Sequence, residues 1–274
     1  MRKTFSAALG ALLLLSATLA HAQKVVTVDG SLTEIAVALG AADRLVGVDT
    51  TSAWIPEVSE LPDVGYMRML SVEGLLSLTP DTILVTSDAG PLSVLEQVSQ
   101  AGVDLEIIEN DYTLAGVLNK VSAVADQLQL PAKGESLKKS IAADFNDIEQ
   151  RIAQYPKPYR VLFIMDSGER GFMVAGNGTR AEGILKMAGL QNAFNNIPGY
   201  KPLTPEAAIM ANPDVILVFH SQTPLEKIKQ NPAIQYTEAV QHDRIYNVDH
   251  LNLLNFGSSV GQSILALQEW LLRQ

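Results

Sequence analysis

The sequence predicts an α/β fold: two similar α/β lobes with central, mostly parallel sheets, joined by one long α-helix, with a ligand cleft between the lobes. Three observations predict it. Short apolar runs alternate with helical patterns along nearly the whole chain, which is how parallel sheets covered by helices are written. In the middle, Leu137, Ile141, Phe145, Ile148, Ile152 and Tyr155 recur at intervals of three or four, one face of a single helix. A stretch of the first half also recurs in register in the second.

The elements follow in order. Residues 24–28 read as a strand, 31–39 as a helix ended by Gly40, and 45–48 as a second strand. After the turn signal Pro80-Asp81 come a strand at 83–87, a helical pattern at 91–100 and a strand at 105–108. Pro131 suits the first turn of the central helix, where a missing N–H costs nothing. A helix of roughly 24 residues would be about 36 Å long, enough to run from one lobe to the other and stiff enough to limit hinge opening. Pro156 and Pro158 stop it. A strand at 161–165, a helix at 179–187, strands at 215–219 and 245–248 and a closing amphipathic helix at 261–272 complete the alternation. Glu73, Pro80, Asp81 and Ile83-Leu84-Val85 recur as Glu206, Pro213, Asp214 and Ile216-Leu217-Val218 at identical offsets. A duplicated unit of short helix, tight turn and buried strand explains that agreement. A weaker echo pairs 33–40 with 182–189, both helices ended by glycine. The expected organisation is a signal peptide at 1–22, an N-terminal lobe at 23–130, the connecting helix at 131–156 and a C-terminal lobe at 157–274.

The N-terminal segment carries the export reading. Arg2 and Lys3 precede an apolar run at 7–19 that ends in Ala20-His21-Ala22, a small-x-small cleavage pattern, so cleavage before Gln23 is expected. The run is too short to span a bilayer comfortably. The sequence has no cysteine. An exported chain of about 250 residues must then hold itself together by core packing. Cysteine is also removed as a lipid-attachment point, nucleophile or metal ligand. A freely diffusing exported chain points to a Gram-negative periplasm. The formal net charge of −10 becomes −12 once Arg2 and Lys3 leave. That argues against a nucleic-acid partner and suits solubility or docking onto a basic protein surface.

Catalytic motifs are missing: no Gly-x-Ser-x-Gly elbow, no Walker loop, no His-Glu-x-x-His. A periplasmic enzyme using carboxylates alone stays as the reading from another class. Gly176-Asn177-Gly178-Thr179 reads as a turn with Thr179 as helix N-cap rather than a phosphate loop, since the third glycine is absent. Of the histidines past residue 22, His220 at a strand end is the one placed to face the cleft; His242 and His250 flank a polar strand and read as surface residues. The sharpest segment is 62–74. Gly65 permits an unusual backbone angle. Tyr66 and Arg68, two apart, point the same way if the segment is extended, with Met67 and Met69 offering soft apolar surface beside them. A phenol, with an ordinary pKa near 10, ligates ferric iron as the phenolate, a nearby guanidinium favours that anion, and tyrosine serves as an axial haem ligand. The same residues also fit a ring packed at a lobe edge with Arg68 in a surface ion pair.

Gly65-Tyr66-Met67-Arg68-x-Leu70-Ser71-x-Glu73-Gly74-x-Leu76-Ser77-Leu78-x-Pro80 resembles a motif of the periplasmic haem-binding proteins of bacterial haem ABC importers. Val174-Ala175-Gly176-x-Gly178-Thr179 and Gly199-Tyr200-Lys201-Pro202-Leu203-Thr204-x-Glu206-Ala207 support the resemblance. These proteins form part of a long-helix class shared with cobalamin and ferric-siderophore carriers. The resemblance spans essentially the whole chain after residue 22. It implies a monomeric, membrane-free carrier that takes up haem b as cargo in the cleft and delivers it to an inner-membrane ABC permease dimer with its ATPase, doing no chemistry itself. It assigns the haem iron to Tyr66, with Arg68 beside it, and docking on the permease to Glu73 and Glu206. The propionates need cationic or hydroxyl partners, for which Arg170, Tyr200 and Lys201 are candidates. One departure matters: some members carry a histidine just before the Ala-Gly motif and hold two stacked haems. Here the stretch reads Ser167-Gly168-Glu169-Arg170-Gly171, so one haem is expected. The rival ligands on the same fold are a ferric siderophore or cobalamin.

Overall fold

The computed structural model describes residues 23–166, 171–219, 223–248 and 251–273. The N-terminal lobe is built on β1 (Val25–Val28), β2 (Leu45–Val48), β3 (Thr82–Thr86) and β4 (Asp104–Ile108), all parallel, in the order β2-β1-β3-β4. Every residue of β1 and β3 is buried, because helices cover both faces of the sheet. Those helices are α1 (Gly30–Ala38), α2 (Val72–Leu76), α3 (Leu92–Gln100) and α4 (Leu114–Gln127). The alternation had not singled out α4.

The connecting helix, α5 (Pro131–Ile152), is 22 residues long, about 33 Å. It starts at the predicted proline and ends three residues short of the apolar pattern. Its buried stripe, Ile141, Phe145 and Ile148, does more than bridge two lobes. It belongs to one continuous core that also contains Leu32 and Ile35, Val121 and Val124, Phe163, Leu217 and Ile264. The far face of each sheet has its own smaller core.

The C-terminal lobe carries β5 (Arg160–Asp166), β6 (Phe172–Ala175), α6 (Arg180–Met187), β7 (Gln191–Asn192), β8 (Tyr200–Pro202), α7 (Pro205–Ala211), β9 (Val215–Phe219), α8 (Leu225–Lys229), α9 (Glu238–Gln241), β10 (Ile245–Val248) and α10 (Val260–Leu271). Its sheet runs β10-β9-β5-β6-β8, with β7 also on β5. The parallel set β7-β5-β9-β10 repeats β2-β1-β3-β4 of the first lobe; antiparallel β6 and β8 are an addition that the strand alternation did not show.

The duplication extends to single hydrogen bonds. Asp81 Oδ2 accepts from Lys24 N at 2.8 Å, and Asp214 Oδ2 accepts from Arg160 N at 2.8 Å, each tying a turn to the start of the neighbouring strand. Ser71 caps α2 by accepting from Gly74 N at 3.0 Å, and Thr204 caps α7 by accepting from Ala207 N at 3.2 Å. Gly40 and Gly189 end α1 and α6 at φ 71° and 73°, left-handed angles that favour glycine.

The lobes also meet directly. Glu34, on α1, accepts from Asn255 Nδ2 at 2.9 Å, Ser258 Oγ at 3.0 Å and Ser259 N at 2.7 Å. Helix α10 has no side-chain cap from its own N-cap residue, so a carboxylate of the other lobe meets the positive end of its dipole. Among the described residues no helix is long and apolar enough to cross a membrane.

Candidate functional site

The segment holding Tyr66 runs beside β2, with Val64 N donating to Val48 O at 2.9 Å. Gly65 then turns it at φ 100°, a conformation closed to most side chains, while its N–H donates to Asp63 Oδ1 at 2.7 Å. The next residues are not extended, as the spacing argument assumed. Met69 N donates to Tyr66 O at 2.7 Å and closes a turn. That turn separates the two methionines: Met67 is 2% exposed and belongs to the N-terminal lobe's core, so it is not surface beside the phenol, whereas Met69 is 76% exposed. The turn still brings the paired side chains together. Arg68 Nη1 donates to the Tyr66 hydroxyl at 2.7 Å, and the Tyr66 ring is 40% exposed.

A second loop fixes this one. Gly90 N donates to Met67 O at 2.8 Å and Leu70 N to Gly90 O at 3.1 Å. The pinning sets Asp88 beside Arg68, Oδ2 to Nη2 at 3.8 Å. Asp88 Oδ2 also accepts from Tyr112 OH at 2.8 Å and Asn110 Nδ2 at 2.9 Å.

From the other lobe comes Arg180. Thr179 caps α6, accepting from Glu182 N at 3.1 Å, and Glu182 Oε2 accepts from Gly178 N at 2.8 Å. Gly176-Asn177-Gly178-Thr179 is therefore a capping turn, as read from sequence. At Gly176 a Cβ would lie 2.1 Å from Ile197 O. The cap aims Arg180 across the gap: Nη2 donates to Asp29 Oδ2 at 2.7 Å and to Asp88 Oδ2 at 2.9 Å, and Nη1 to Leu254 O at 3.3 Å. Asp29 caps α1 from φ 100° and is 1% exposed, also accepting from Ser31 N at 2.9 Å and Thr86 Oγ1 at 3.0 Å.

The charges follow this geometry. Burial pushes the Asp29 carboxyl up, but Arg180 and then Lys120 outweigh it and hold it below the usual carboxylate range. The same contest, with Arg180 and Tyr112 as the stronger side, holds Asp88 low. Asp49, buried with hydrogen bonds but no cation beside it, is raised. Arg180's own burial opposes its charge, yet the two carboxylates raise its pKa. Burial brings Lys120 down to about 8; its ammonium donates to Ser31 Oγ at 3.2 Å and Asn110 Oδ1 at 3.1 Å. Tyr200, on β8 and half-buried, is raised by burial, against the pull of the Arg180 and Arg68 charges.

Lys201, Glu73 and Glu206 are exposed, the two glutamates in the first turns of α2 and α7. His242 is exposed, as expected. Arg170, His220 and His250 lie outside the described residues. Sequence reasoning missed Asp29, Asp88, Tyr112 and Arg180. One signal could have found the carboxylates: each follows the C-terminal end of a parallel strand, β1 or β3, where ligands of α/β sheets bind. The arrangement presents a phenol gripped by a guanidinium on an exposed loop. Among the described residues no group of three or more His, Asp or Glu is placed to hold a metal ion.

The haem-binding protein RhuT from Roseiflexus superposes with a TM-score of 0.85 at 34% identity, over 90% of this chain and 97% of that one. BhuT in complex with two haems matches at 0.85 and 33%, with the same coverage. HutB of Vibrio cholerae matches at 0.78 and 32%, over 91% and 98%. Among curated sequences, the ABC transporter substrate-binding lipoprotein YvrC of Bacillus subtilis is 27% identical over 83% of this chain and 73% of its own. The vitamin B12-binding protein of Vibrio parahaemolyticus is 25% identical over 71% and 70%. The family model for periplasmic binding proteins matches residues 25–250, both lobes and the helix between them, and the chain belongs to that family of ABC-transporter substrate-binding proteins.

Proposed function

We propose that the protein captures haem in the cleft between its lobes, with Tyr66 as the iron ligand, and hands it to an inner-membrane ABC permease dimer driven by its ATPase. The observation that carries this reading is the 2.7 Å hydrogen bond from Arg68 to the Tyr66 hydroxyl, on an exposed loop. A phenol ligates ferric iron as the phenolate, and a guanidinium at hydrogen-bond distance favours that anion without competing for the metal. The similar solved structures, RhuT, BhuT and HutB, are haem-binding proteins by name and share about a third of their residues with this chain. Tyr200 and Lys201 on β8, with Arg170 by its sequence position, are the candidates for holding the propionates, and His220, by its sequence position, is a further candidate to face the ligand. The protein works as a monomer in the periplasm, after cleavage before Gln23, and Glu73 and Glu206 dock it on the permease. One haem is bound, since 167–171 has no histidine, although BhuT holds two.

The vitamin B12-binding relatives favour a second reading, cobalamin in the same cleft. One titration separates the two. Haemin should give a high-spin ferric tyrosinate spectrum with a break at one per chain, and cyanocobalamin should not displace it. Tyr66→Phe keeps the ring and removes the ligating oxygen, so it should lose that spectrum and bind more than about ten-fold more weakly, the value of ~1.4 kcal/mol. An unchanged spectrum in Tyr66→Phe overturns the iron assignment. Saturation by cyanocobalamin without haemin binding establishes the second reading, and a sharp break at two haems overturns the stoichiometry.

A further inference from the structure

We infer that α7 offers the permease an apolar contact: Ile209 and Met210, set beside Glu206, form a docking face that the N-terminal lobe lacks. The inference rests on the reading that Glu73 and Glu206 dock the protein, and adds the kind of surface that the C-terminal lobe presents there.

Helix α7 is built inside out. A surface helix ordinarily buries its large apolar side chains and shows small or polar ones to water. In α7 the buried residues are Ala208 and Ala211, while Ile209 is 50% and Met210 85% exposed. Its duplicated counterpart, α2, follows the ordinary plan. Leu75, in the place of Ala208, is fully buried; Leu76, in the place of Ile209, is half-buried; Ser77, in the place of Met210, is the residue that reaches water. The two chain paths agree, since the turn after each helix takes the same unusual backbone angle at matching residues, Thr79 at φ 46° and Asn212 at φ 39°. The side chains are what differ, with bulk moved from the inner face to the outer one. The folded chain gains nothing from that exchange, because apolar surface left in water contributes no burial. It gains only when something covers the face.

The neighbouring charge selects what covers it. Ile209 and Met210 follow Glu206 by three and four positions, so the three side chains share one face of the helix. An exposed carboxylate next to an exposed apolar pair matches a protein surface with a Lys or Arg beside an apolar hollow. A lipid surface is a poor match: it would have to take in Glu206 with the pair, and anionic headgroups repel a chain of formal net charge −10. A periplasmic binding protein of an ABC transporter has a permease as its partner, and that permease is the occupant to which the face is assigned. Glu206 then steers the encounter, and the apolar pair holds the complex once water is excluded.

The test uses the full chain and its permease–ATPase complex in lipid nanodiscs. Ile209→Ser/Met210→Ser gives α7 the polar outer face of α2. Both positions are exposed, so the melting temperature and haemin affinity should stay at their wild-type values. Affinity for the permease should fall about ten-fold or more, mostly through faster dissociation. Salt separates the apolar pair from the charge. The loss in the double serine variant should be equal at about 0.1 M and 1 M salt, whereas the loss in Glu206→Ala should shrink at the higher concentration. Met210→Gln, similar in size but polar, should weaken binding in the same direction. Wild-type permease affinity in the double serine variant overturns the inference; if Glu73→Arg/Glu206→Arg still loses affinity, the docking of the two glutamates stands without it. Unchanged affinity in both double variants overturns the docking reading as well. Wild-type binding to permease-free nanodiscs, or a concentration-dependent dimer in sedimentation, that the serine variant loses would identify a lipid surface or a second copy of the chain as the occupant and overturn the inference likewise.

Discussion

Asp88 shows how one atom can join two lobes. Three donors crowd its Oδ2, one of them charged, and the carboxyl is held below its ordinary pKa although burial works against ionisation. The linkage sign follows. A carboxyl with a depressed folded-state pKa binds fewer protons folded than unfolded, so its stabilisation is present above the unfolded pKa of about 3.9 and is lost as pH falls through the folded value. Asp88→Asn should therefore unfold more easily than wild type at pH 6–7, by about 1–3 kcal/mol for a hydrogen bond to a charged group. The difference should shrink towards zero as pH drops below about 4. Urea titrations of both proteins at several pH values check this; a difference that does not change with pH would mean that the carboxylate charge is not what stabilises. The Tyr66–Arg68 pairing was expected from a spacing of two in an extended segment, whereas a turn is what brings the two side chains together. The fate of Met67 and Met69 was not. The two look alike in sequence, and only the direction of the turn closed by Met69 N and Tyr66 O decides that one is core and the other surface.

At the level of the helices, α5 and α10 depend on partners outside themselves. The limits of α5 were readable because proline fits its first turn and its apolar stripe has the helical period. Its place in a core shared by both lobes was not, since the residues it meets are far away in the chain. The start of α10 likewise gains its cap from Glu34, more than 220 positions earlier. Glu34→Ala removes the acceptor for Asn255, Ser258 and Ser259 together and exposes the end of α10. A loss of about 2–3 kcal/mol is expected for a charged, part-buried acceptor at a helix N-terminus. Because the core is continuous, both lobes should melt in one transition. Denaturation followed by near-UV dichroism and by Trp54 and Trp270 fluorescence checks both statements; Trp54 lies in the first lobe and Trp270 on α10, so two separated transitions would contradict the shared core.

For the molecule as a whole, the duplication places Glu73 and Glu206 at matching points, each in the first turn of a helix that its own serine or threonine caps. Two exposed carboxylates held apart by a stiff helix can read the spacing of two basic patches on a dimeric permease. Such exposed contacts contribute modestly one at a time and weaken with salt. Replacing both glutamates by arginine should leave haemin affinity within about two-fold of wild type, because neither residue belongs to the Tyr66 site, and should depress haem uptake into vesicles containing the permease strongly. Replacement by alanine should do less, since it removes attraction without adding repulsion. Normal uptake by the double arginine variant would remove the docking role.

What could be read along the chain was whatever repeats locally. The strands, the spanning helix and the two-lobe duplication follow from periodic burial and from turn residues at fixed offsets, and each of these is a short-range property. The meeting of Asp29, Asp88 and Arg180 is of another kind. Arg180 stands 151 positions from Asp29 and 92 from Asp88, on the far side of α5. Three isolated charges, two just after strands and one at the start of a helix, carry no period and no motif. They become one cluster only when the closing of two sheets on a common core brings the C-terminal ends of β1 and β3 up against the start of α6. There burial makes each charge costly unless the others pair with it.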